Sequence, residues 1–262
     1  VLFVVGHLGE SLLLACGLEP GVPSEVTLAA RLDEDLAGGL GITGLLAVAA
    51  ILTGNGPQRR AVSLALGGAA FGVAYLTAYS AFAVFGYVDS ETGMALLLLT
   101  AVGASVYAVT RSALSLAVLA MFGAFLAPAF AVADPGPTIV YGYYVVASLV
   151  TLVMVAVRGW RPLIHLSFVF TLGGGAVFAW TSQYYDAYAD IMQPAVLALA
   201  AIHVAMPIFE RRGAAGVWQQ RLDFGYILLL PAAAALSAFL LADSTSRLTL
   251  TLAGLGVILI VA

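Results

Sequence analysis

Residues 137–157, PTIVYGYYVVASLVTLVMVAV, form an apolar stretch that contains no charged side chain. A helix that crosses a membrane needs about 20 predominantly apolar residues, and this stretch meets that length. The whole chain has the same character, because 62% of its 262 residues are hydrophobic and only 9% are charged. Soluble domains carry about 25% charged residues, so no soluble core could bury this apolar surface. The composition predicts a membrane protein and excludes a soluble catalytic domain and a nucleic-acid-binding module.

Similar apolar runs lie on both sides of this stretch, and together they predict about ten helices. The spans cover residues 1–18, 36–53, 61–87, 92–110, 112–133, 137–157, 162–182, 191–209, 222–242 and 247–262. The predicted fold class is therefore an all-α, polytopic transmembrane helical bundle. Because both ends of the sequence look cut, we expect residues 1–262 to be a single transmembrane domain of a longer protein. Arg111 alone separates two of the spans, which leaves either a tight hairpin or one bent helix.

The charged residues predict an orientation. Eight of the ten arginines fall in every second connection, at residues 54–60, 111, 158–161 and 210–221. Basic residues are retained in the cytoplasm, so these connections are predicted to be cytoplasmic and the protein to lie in the inner membrane. Eleven of the 14 acidic residues fall in the opposite connections, which predicts an acidic outer face that attracts cations.

Missing residue types narrow the function further. The sequence has no Lys, and its one Cys is Cys16, inside an apolar run. A P-loop and a retinal Schiff base both need Lys, so an ATP-driven motor and a rhodopsin are excluded. We predict no cofactor, no metal site and no nucleic-acid partner. The expected partners are the lipid bilayer, the remaining helices of the parent chain and other membrane subunits.

Two glycine-rich stretches suggest an internal repeat. LGGAAF at 66–71 resembles LGGGAV at 172–177, and both are followed by Tyr-rich segments and acidic turns. Residues 61–157 and 162–262 could therefore be two parallel four-helix repeats, as in some transporters, or the similarity could be chance. Small residues let helices approach closely in lipid, so four glycines are predicted helix-packing positions. These are Gly68, Gly72, Gly173 and Gly174.

Several motifs in this order resemble a family of predicted multi-pass membrane proteins, "domain of unknown function 2339". They are ALGG at 65–68, AYL at 74–76, AY at 78–79, MFGAFLAP at 121–128, YGY at 141–143, GWRPL at 159–163, FVFT at 168–171 and Trp180. The resemblance covers about residues 36–182. It implies a longer parent chain with further helices, but no established activity and no catalytic residues. The acidic stretch Asp33-Glu34-Asp35 is not typical of this family.

Three histidines and one carboxylate lie within the apolar spans. Glu10 is three residues after His7 on one helix face, and could relay a proton or cation or lie near the membrane interface. His165 and His203 could meet if their helices form a hairpin. Two His without a third ligand are weak evidence for a metal, so we interpret them as neutral packing residues.

Aromatic and acidic residues are predicted to gather on the outer surface. The candidate binding residues there are Asp134, Tyr141, Tyr144, Trp180, Tyr184, Tyr185 and Asp186. Aromatic rings with carboxylates can bind sugars or cations, but an aromatic belt that anchors helices at the lipid headgroups is the simpler interpretation. Asp33, Asp35, Asp89 and Glu91 are placed on outer loops, where they could hold a metal or simply be solvated.

These features lead to three functional hypotheses. The first is a transport or export component for an envelope lipid, a glycan or a small solute, with a polar path near Glu10, Tyr75, Tyr79 or Thr171. The second is a membrane glycosyltransferase-like enzyme that uses a lipid-linked sugar and the acidic outer loops. The third is a structural membrane subunit that associates through its glycine faces.

Overall fold

The computed structural model describes residues 25–53, 59–130, 136–181, 189–210, 225, 227–229, 231–235 and 245–261. Within these ranges the side chains of 25–35, 175–181 and 245–248, and a few single residues at helix ends, are outside the description. Eight α-helices longer than ten residues are described. They are α1 (Glu25–Leu52), α2 (Arg60–Tyr79), α3 (Ser90–Arg111), α4 (Leu114–Leu126), α5 (Pro137–Arg158), α6 (Arg161–Thr181), α7 (Ala189–Phe209) and α8 (Thr245–Val261).

The membrane character of the helices is evident in their length and surface. Four helical segments are long and apolar enough to cross a membrane: Arg60–Val84, Ser90–Arg111, Thr138–Arg158 and Asp190–Phe209. Large apolar side chains also point outward, with Leu45 73% exposed and Leu99 67% exposed. The prediction of an all-helical membrane protein is therefore confirmed for the described residues. The number of ten helices stays a prediction, because span 1–18 and most of span 222–242 lie outside them.

The acidic stretch Asp33-Glu34-Asp35 was predicted to lie on a loop, and this placement is wrong. Helix α1 begins at Glu25, eleven residues before the predicted span, and contains the whole acidic stretch. The physical reason is that the apolar run marks where a membrane would begin, whereas a helix continues through any residues that favour it. No Gly or Pro interrupts residues 24–37, and Ala, Leu, Glu and Arg all favour helix.

Two compact units are distinguished by their internal contacts, Val1–Gly38 and Gly39–Ala262, and their boundary falls inside α1. The second unit contains all the other described helices. The prediction of one domain over residues 1–262 stays a prediction.

The connections between helices use well-defined caps. After a π-helical turn at Ser80–Val84, Asp89 caps α3 by accepting hydrogen bonds from the Thr92 amide (3.2 Å) and the Thr92 hydroxyl (2.7 Å). These bonds hold the pKa of the Asp89 carboxyl below its usual value. At the other end of α3, Ser112 is in the left-handed region (φ 52°, ψ 44°), and α4 begins at Leu114. The region around Arg111 is therefore a tight hairpin.

The second unit packs around α3 and α5. Helix α3 contacts α2, α4 and α5, and α5 contacts α3, α4, α6 and α7, with α7 its most extensive neighbour. Helix α8 packs against α7. The largest fully buried side chains fill the spaces between these helices, and they include Leu97, Met121, Phe125, Met154, Leu163 and Met206.

Several arginines gather at one end of the second unit, which we call the arginine end. Arg60 donates from Nη2 to the Arg111 carbonyl (2.9 Å), and Arg158 donates to the carbonyl of Val109. Arg161, the first residue of α6, contacts Glu210 directly after α7, with 2.5 Å between Nε and Oε1. Cations on the last carbonyls of α3 satisfy acceptors that the helix leaves free and complement its dipole. Arginines of the predicted cytoplasmic connections, Arg60, Arg111, Arg158 and Arg161, thus lie at one end; the side of the membrane stays a prediction.

Candidate functional site

Buried polar side chains are frequent on α5, α6 and α7, three helices that pack against one another. This is unusual because a residue inside a membrane bundle has no water to replace a missing hydrogen bond. We call this group of residues the polar seam. It consists of Tyr143, Ser148 and Thr151 on α5, Ser167 and Thr171 on α6, and Gln193, His203 and Glu210 on or directly after α7.

Helical spacing brings the seam residues onto inward faces. Ser148 and Thr151 are three residues apart on α5, and Ser167 and Thr171 are four apart on α6, so each pair shares a face. His203 and Glu210 are seven residues apart, which returns to the same face of the α7 helix after two turns. Their neighbours are fully buried apolar residues such as Ala147, Leu163 and Met206, which hold these faces against one another.

His203 is the most enclosed ionisable residue of the seam, at 1% exposure. Its Nδ1 lies 2.8 Å from the Leu199 carbonyl oxygen, and its Nε2 lies 2.9 Å from the Ser167 hydroxyl. A carbonyl can only accept, so Nδ1 carries a hydrogen and donates it. In the neutral ring Nε2 is then the acceptor, and the Ser167 hydroxyl donates to it. The surroundings therefore select one tautomer of His203.

Glu210 lies at the arginine end of the seam and is 7% exposed. Its Oε1 is 2.5 Å from Arg161 Nε, which connects the start of α6 to the end of α7. Its other oxygen, Oε2, is buried and has no hydrogen-bond partner. A buried carboxylate needs its cation, because an unpaired buried charge is costly.

Five of the eight seam residues have a polar atom without a hydrogen-bond partner. Among the described residues, six buried side-chain polar atoms lack a hydrogen bond, and five of them lie in the seam. These five are Tyr143 Oη, Ser148 Oγ, Thr171 Oγ1, Gln193 Nε2 and Glu210 Oε2. Each unsatisfied buried group costs about 1–3 kcal/mol. These atoms are spread along the helices, since Gln193 and Glu210 are 17 residues, or about 25 Å, apart on and directly after α7.

Ser148 and Thr171 lie near the middle of their helices. Ser148 is ten residues before Arg158 on α5, and Thr171 is ten residues after Arg161 on α6. At 1.5 Å per residue, both lie about 15 Å from the arginine end. This is half of a hydrocarbon core that is about 30 Å thick.

The family comparison agrees with this architecture. The model of the family described as "Predicted membrane protein (DUF2339)" matches residues 7–262. The chain belongs to this family. No curated protein and no solved structure gives a significant match. The resemblance predicted from the sequence is confirmed, and it extends beyond residues 36–182 in both directions.

Several predicted site residues of this DUF2339 protein are outside the described residues. They are Glu10 and its neighbour His7, Asp134, Tyr184, Tyr185 and Asp186. Trp180 lies within α6, but its side chain is outside the description. Their roles in binding stay predictions.

The tyrosines at the start of α5 are buried or half-buried, and their role in binding stays a prediction. Tyr141 is 8% exposed and Tyr143 is 4% exposed, so both rings lie inside the bundle. Tyr144 is half-buried; its hydroxyl donates to the Phe125 carbonyl (3.2 Å) and its ring stacks on the Phe125 ring. A tyrosine can be buried when its hydroxyl reaches a backbone acceptor, and this explains Tyr144. Tyr143 contributes an unpartnered hydroxyl to the polar seam instead.

The predicted packing glycines have different surroundings. A Cβ at Gly174 would lie 2.9 Å from the Tyr144 hydroxyl, and one at Gly68 would lie 3.5 Å from Leu116. No atom of the described residues would lie within 4 Å of a Cβ at Gly72 or Gly173. Gly68 and Gly72 line an apolar cavity of about 280 Å³ between α2, α3 and α4. Their role in helix association therefore stays a prediction.

The other candidates are divided between two places. Thr171 belongs to the seam, whereas Tyr75 lines the apolar cavity and donates to the Gly123 carbonyl (2.6 Å). Asp89 uses both carboxylate oxygens to cap α3. Ser148, Ser167 and Gln193 were not predicted from the sequence, and neither was the ion pair between Arg161 and Glu210. The available signal was polar residues at helical spacing within apolar spans.

Proposed function

We propose that this protein is a membrane transport or export component and that a small polar solute crosses along the polar seam. The observation that carries this proposal is the set of five unpartnered polar atoms that are buried on or directly after α5, α6 and α7. Polar residues inside membrane bundles are costly, and they usually mark a substrate or ion pathway. Of the substrate classes considered, the small solute suits buried hydroxyl and amide groups best.

The seam differs from the way in which a purely structural bundle uses polar residues. Thr151 donates to the Ala147 carbonyl one turn earlier, which is the usual solution for a hydroxyl inside a helix. Ser148 and Thr171 could form the same kind of bond but remain without one. Their hydroxyls are therefore available to a solute or to water that passes between the helices.

The complete transport unit that we propose contains about ten helices, with residues 61–157 and 162–262 as two parallel repeats. Its connections at 54–60, 111, 158–161 and 210–221 face the cytoplasm of a cell whose inner membrane contains the protein. The gathering of Arg60, Arg111, Arg158 and Arg161 at one end supports this arrangement, since positive residues are retained on the cytoplasmic side.

A structural subunit is the second candidate function. Gly72 supports it, because this exposed glycine lines the apolar cavity and leaves space there for a side chain of another helix. The glycosyltransferase-like alternative has less support, since the contacts of Asp89 are those of a helix cap.

Water access to the seam tests the transport proposal. In a Cys16→Ser background, Ser148→Cys and Thr171→Cys each place one thiol in the seam without a large change in volume. Charged methanethiosulfonate reagents react only with thiols that meet water. If the seam is a pathway, both positions are labelled in the full-length protein in liposomes, from at least one side.

Outward-facing neighbours provide matched controls. Leu149, next to Ser148, is 43% exposed on the bundle surface, and Val169 on α6 is 64% exposed. Leu149→Cys and Val169→Cys face lipid at similar depths, so we expect them to stay unlabelled. If Ser148→Cys and Thr171→Cys are as unreactive as these controls, water does not reach the seam and the transport proposal is overturned.

A further inference from the structure

We propose that His203 is a proton-binding residue and that the solute in the polar seam moves together with protons. This inference rests on the proposed transport function and names the co-substrate of the same site. The geometry behind it is a single basic nitrogen, His203 Nε2, which faces the one hydroxyl that can reverse its hydrogen bond, that of Ser167.

The proton-binding step involves few atoms. In the neutral state the Ser167 hydroxyl donates to His203 Nε2, and Nδ1–H donates to the Leu199 carbonyl. A proton that arrives forms an N–H bond at Nε2, and the ring becomes a cation. The Ser167 hydroxyl then rotates and accepts this new hydrogen. Its own hydrogen turns to the carbonyl one turn earlier, that of Leu163, as serines within helices commonly do.

Nδ1 takes no part in this change, because its hydrogen stays on the Leu199 carbonyl in both states. The ring is therefore held in position while only the Nε2 side changes. Ser167 and Thr171 lie one turn apart on the same face of α6. The reversal of the Ser167 hydroxyl therefore changes the polar surroundings of the unpartnered Thr171 hydroxyl. This contiguity couples the proton site to the proposed solute path.

The charges around His203 favour such a step. Glu210 is on the same face of the helix, two turns or about 10 Å closer to the arginine end, and it has a free oxygen. Its carboxylate would lower the cost of a cation at His203, although Arg161 offsets part of this effect. The described part of α8, residues 249–258, contributes no charged side chain. The other titratable groups described on α5, α6 and α7 are Tyr141, Tyr143, Tyr144, Arg158, His165 and Asp190.

Two labelling reagents of opposite charge test the inference. The thiol of Thr171→Cys, in the Cys16→Ser background, is labelled in liposomes with an anionic and a cationic methanethiosulfonate. Each rate is divided by that of an exposed thiol, Arg59→Cys, which corrects for the ionisation of the thiol itself. As the pH falls from about 8 to about 5, a cationic His203 attracts the anionic reagent and repels the cationic one. We expect about tenfold changes of opposite sign, and their loss in His203→Gln.

The outcomes separate this inference from the transport proposal. If Thr171→Cys is labelled but its response to pH is unchanged by His203→Gln, proton binding at His203 is overturned and the pathway remains. If the thiol is never labelled, the pathway is overturned, and the ¹⁵N signals of the protein's three histidines decide about the proton. A signal that is absent in His203→Gln and titrates between about pH 5 and pH 8 supports the inference. A signal that stays neutral throughout overturns it.

Discussion

Two groups of helices in the second unit use their polar residues in opposite ways. In α2, α3 and α4, hydroxyls are bonded to backbone carbonyls: Tyr75 to Gly123, Tyr107 to Ser63, and Ser105 to Ala101. In α5, α6 and α7, buried hydroxyl, amide and carboxylate atoms are left without partners. Both groups contain helices that are long and apolar enough to cross a membrane.

The difference suggests that the two groups of helices have different roles. Hydrogen bonds from side chains to the backbone of a neighbouring helix fix how α2, α3 and α4 pack, and the space that remains between them is apolar. Unpartnered groups stabilise nothing by themselves, and the transport proposal accounts for their presence in α5–α7 by a ligand that bonds to them. The first group is therefore the scaffold and the second contains the proposed pathway. Ser90 Oγ is the one unpartnered atom of the first group among the described residues.

The largest expected effect comes from the ion pair at the arginine end of the seam. Arg161→Met leaves the 7%-exposed Glu210 without its cation. Breaking a buried pair by removing one partner costs about 3–5 kcal/mol. We expect this loss in the free energy of unfolding, measured by denaturant titration in detergent micelles.

A double variant is the control for this prediction. Arg161→Met combined with Glu210→Gln removes both charges, so most of the lost stability should return. If the double variant is as unstable as Arg161→Met alone, the buried charge is not the cause, and the seam would contain no costly carboxylate.

The scaffold group should respond most strongly at Gly67. A Cβ there would lie 2.4 Å from the ring of Tyr107, whose hydroxyl is already bonded to Ser63. We expect Gly67→Ala to lower the free energy of unfolding by about 1–3 kcal/mol through overpacking. Gly72→Ala, one turn and a residue later, meets no described atom and should be neutral or slightly stabilising, because Ala favours helix. Thermal unfolding of the two variants side by side measures the contrast; equal effects would mean that α2 and α3 are not in close contact at Gly67.

The helices themselves were largely predictable from the sequence. The predicted spans 92–110, 137–157 and 162–182 correspond to α3, α5 and α6, with ends that agree within two residues. Arginine or glycine next to an apolar run marks these ends: Arg111 is the last residue of α3, and Gly159 caps α5. Helix α1 is the exception, because its first residues are helical without being apolar.

The site was only partly predictable, because these helices are apolar all round. When every face is apolar, the sequence does not reveal which face points inward, and so it does not reveal which serines are buried. His203 and Thr171 were predicted candidates because they are polar residues within apolar spans. The contact between His203 and Ser167 could not be predicted, because it depends on the packing of α6 against α7. The burial of Tyr141 and Tyr143 could not be predicted for the same reason. An aromatic side chain near the end of a span can lie among the lipid headgroups or point into the bundle.

The smallest expected effects come from replacing one serine in each group. The free energy of unfolding should fall in one case and rise in the other. Ser63 in the scaffold donates to the Ala50 carbonyl (2.8 Å) and lies 3.3 Å from the Tyr107 hydroxyl. Ser63→Ala should therefore cost about 1 kcal/mol of the free energy of unfolding. Ser148 in the seam is fully buried without a partner, so Ser148→Ala removes an uncompensated hydroxyl and should raise the free energy of unfolding by up to about 1 kcal/mol.

The opposite signs make this pair the sharpest test of the comparison between the two groups, because both changes remove the same atom from a buried position. Denaturant titrations of the two variants under identical detergent conditions measure it. A gain in stability at Ser148 would mean that the wild-type chain keeps a destabilising hydroxyl at the membrane centre, as a ligand-binding position does. An equal loss at both serines would instead show that the Ser148 hydroxyl is satisfied in the membrane, and that α5–α7 is as much a scaffold as α2–α4.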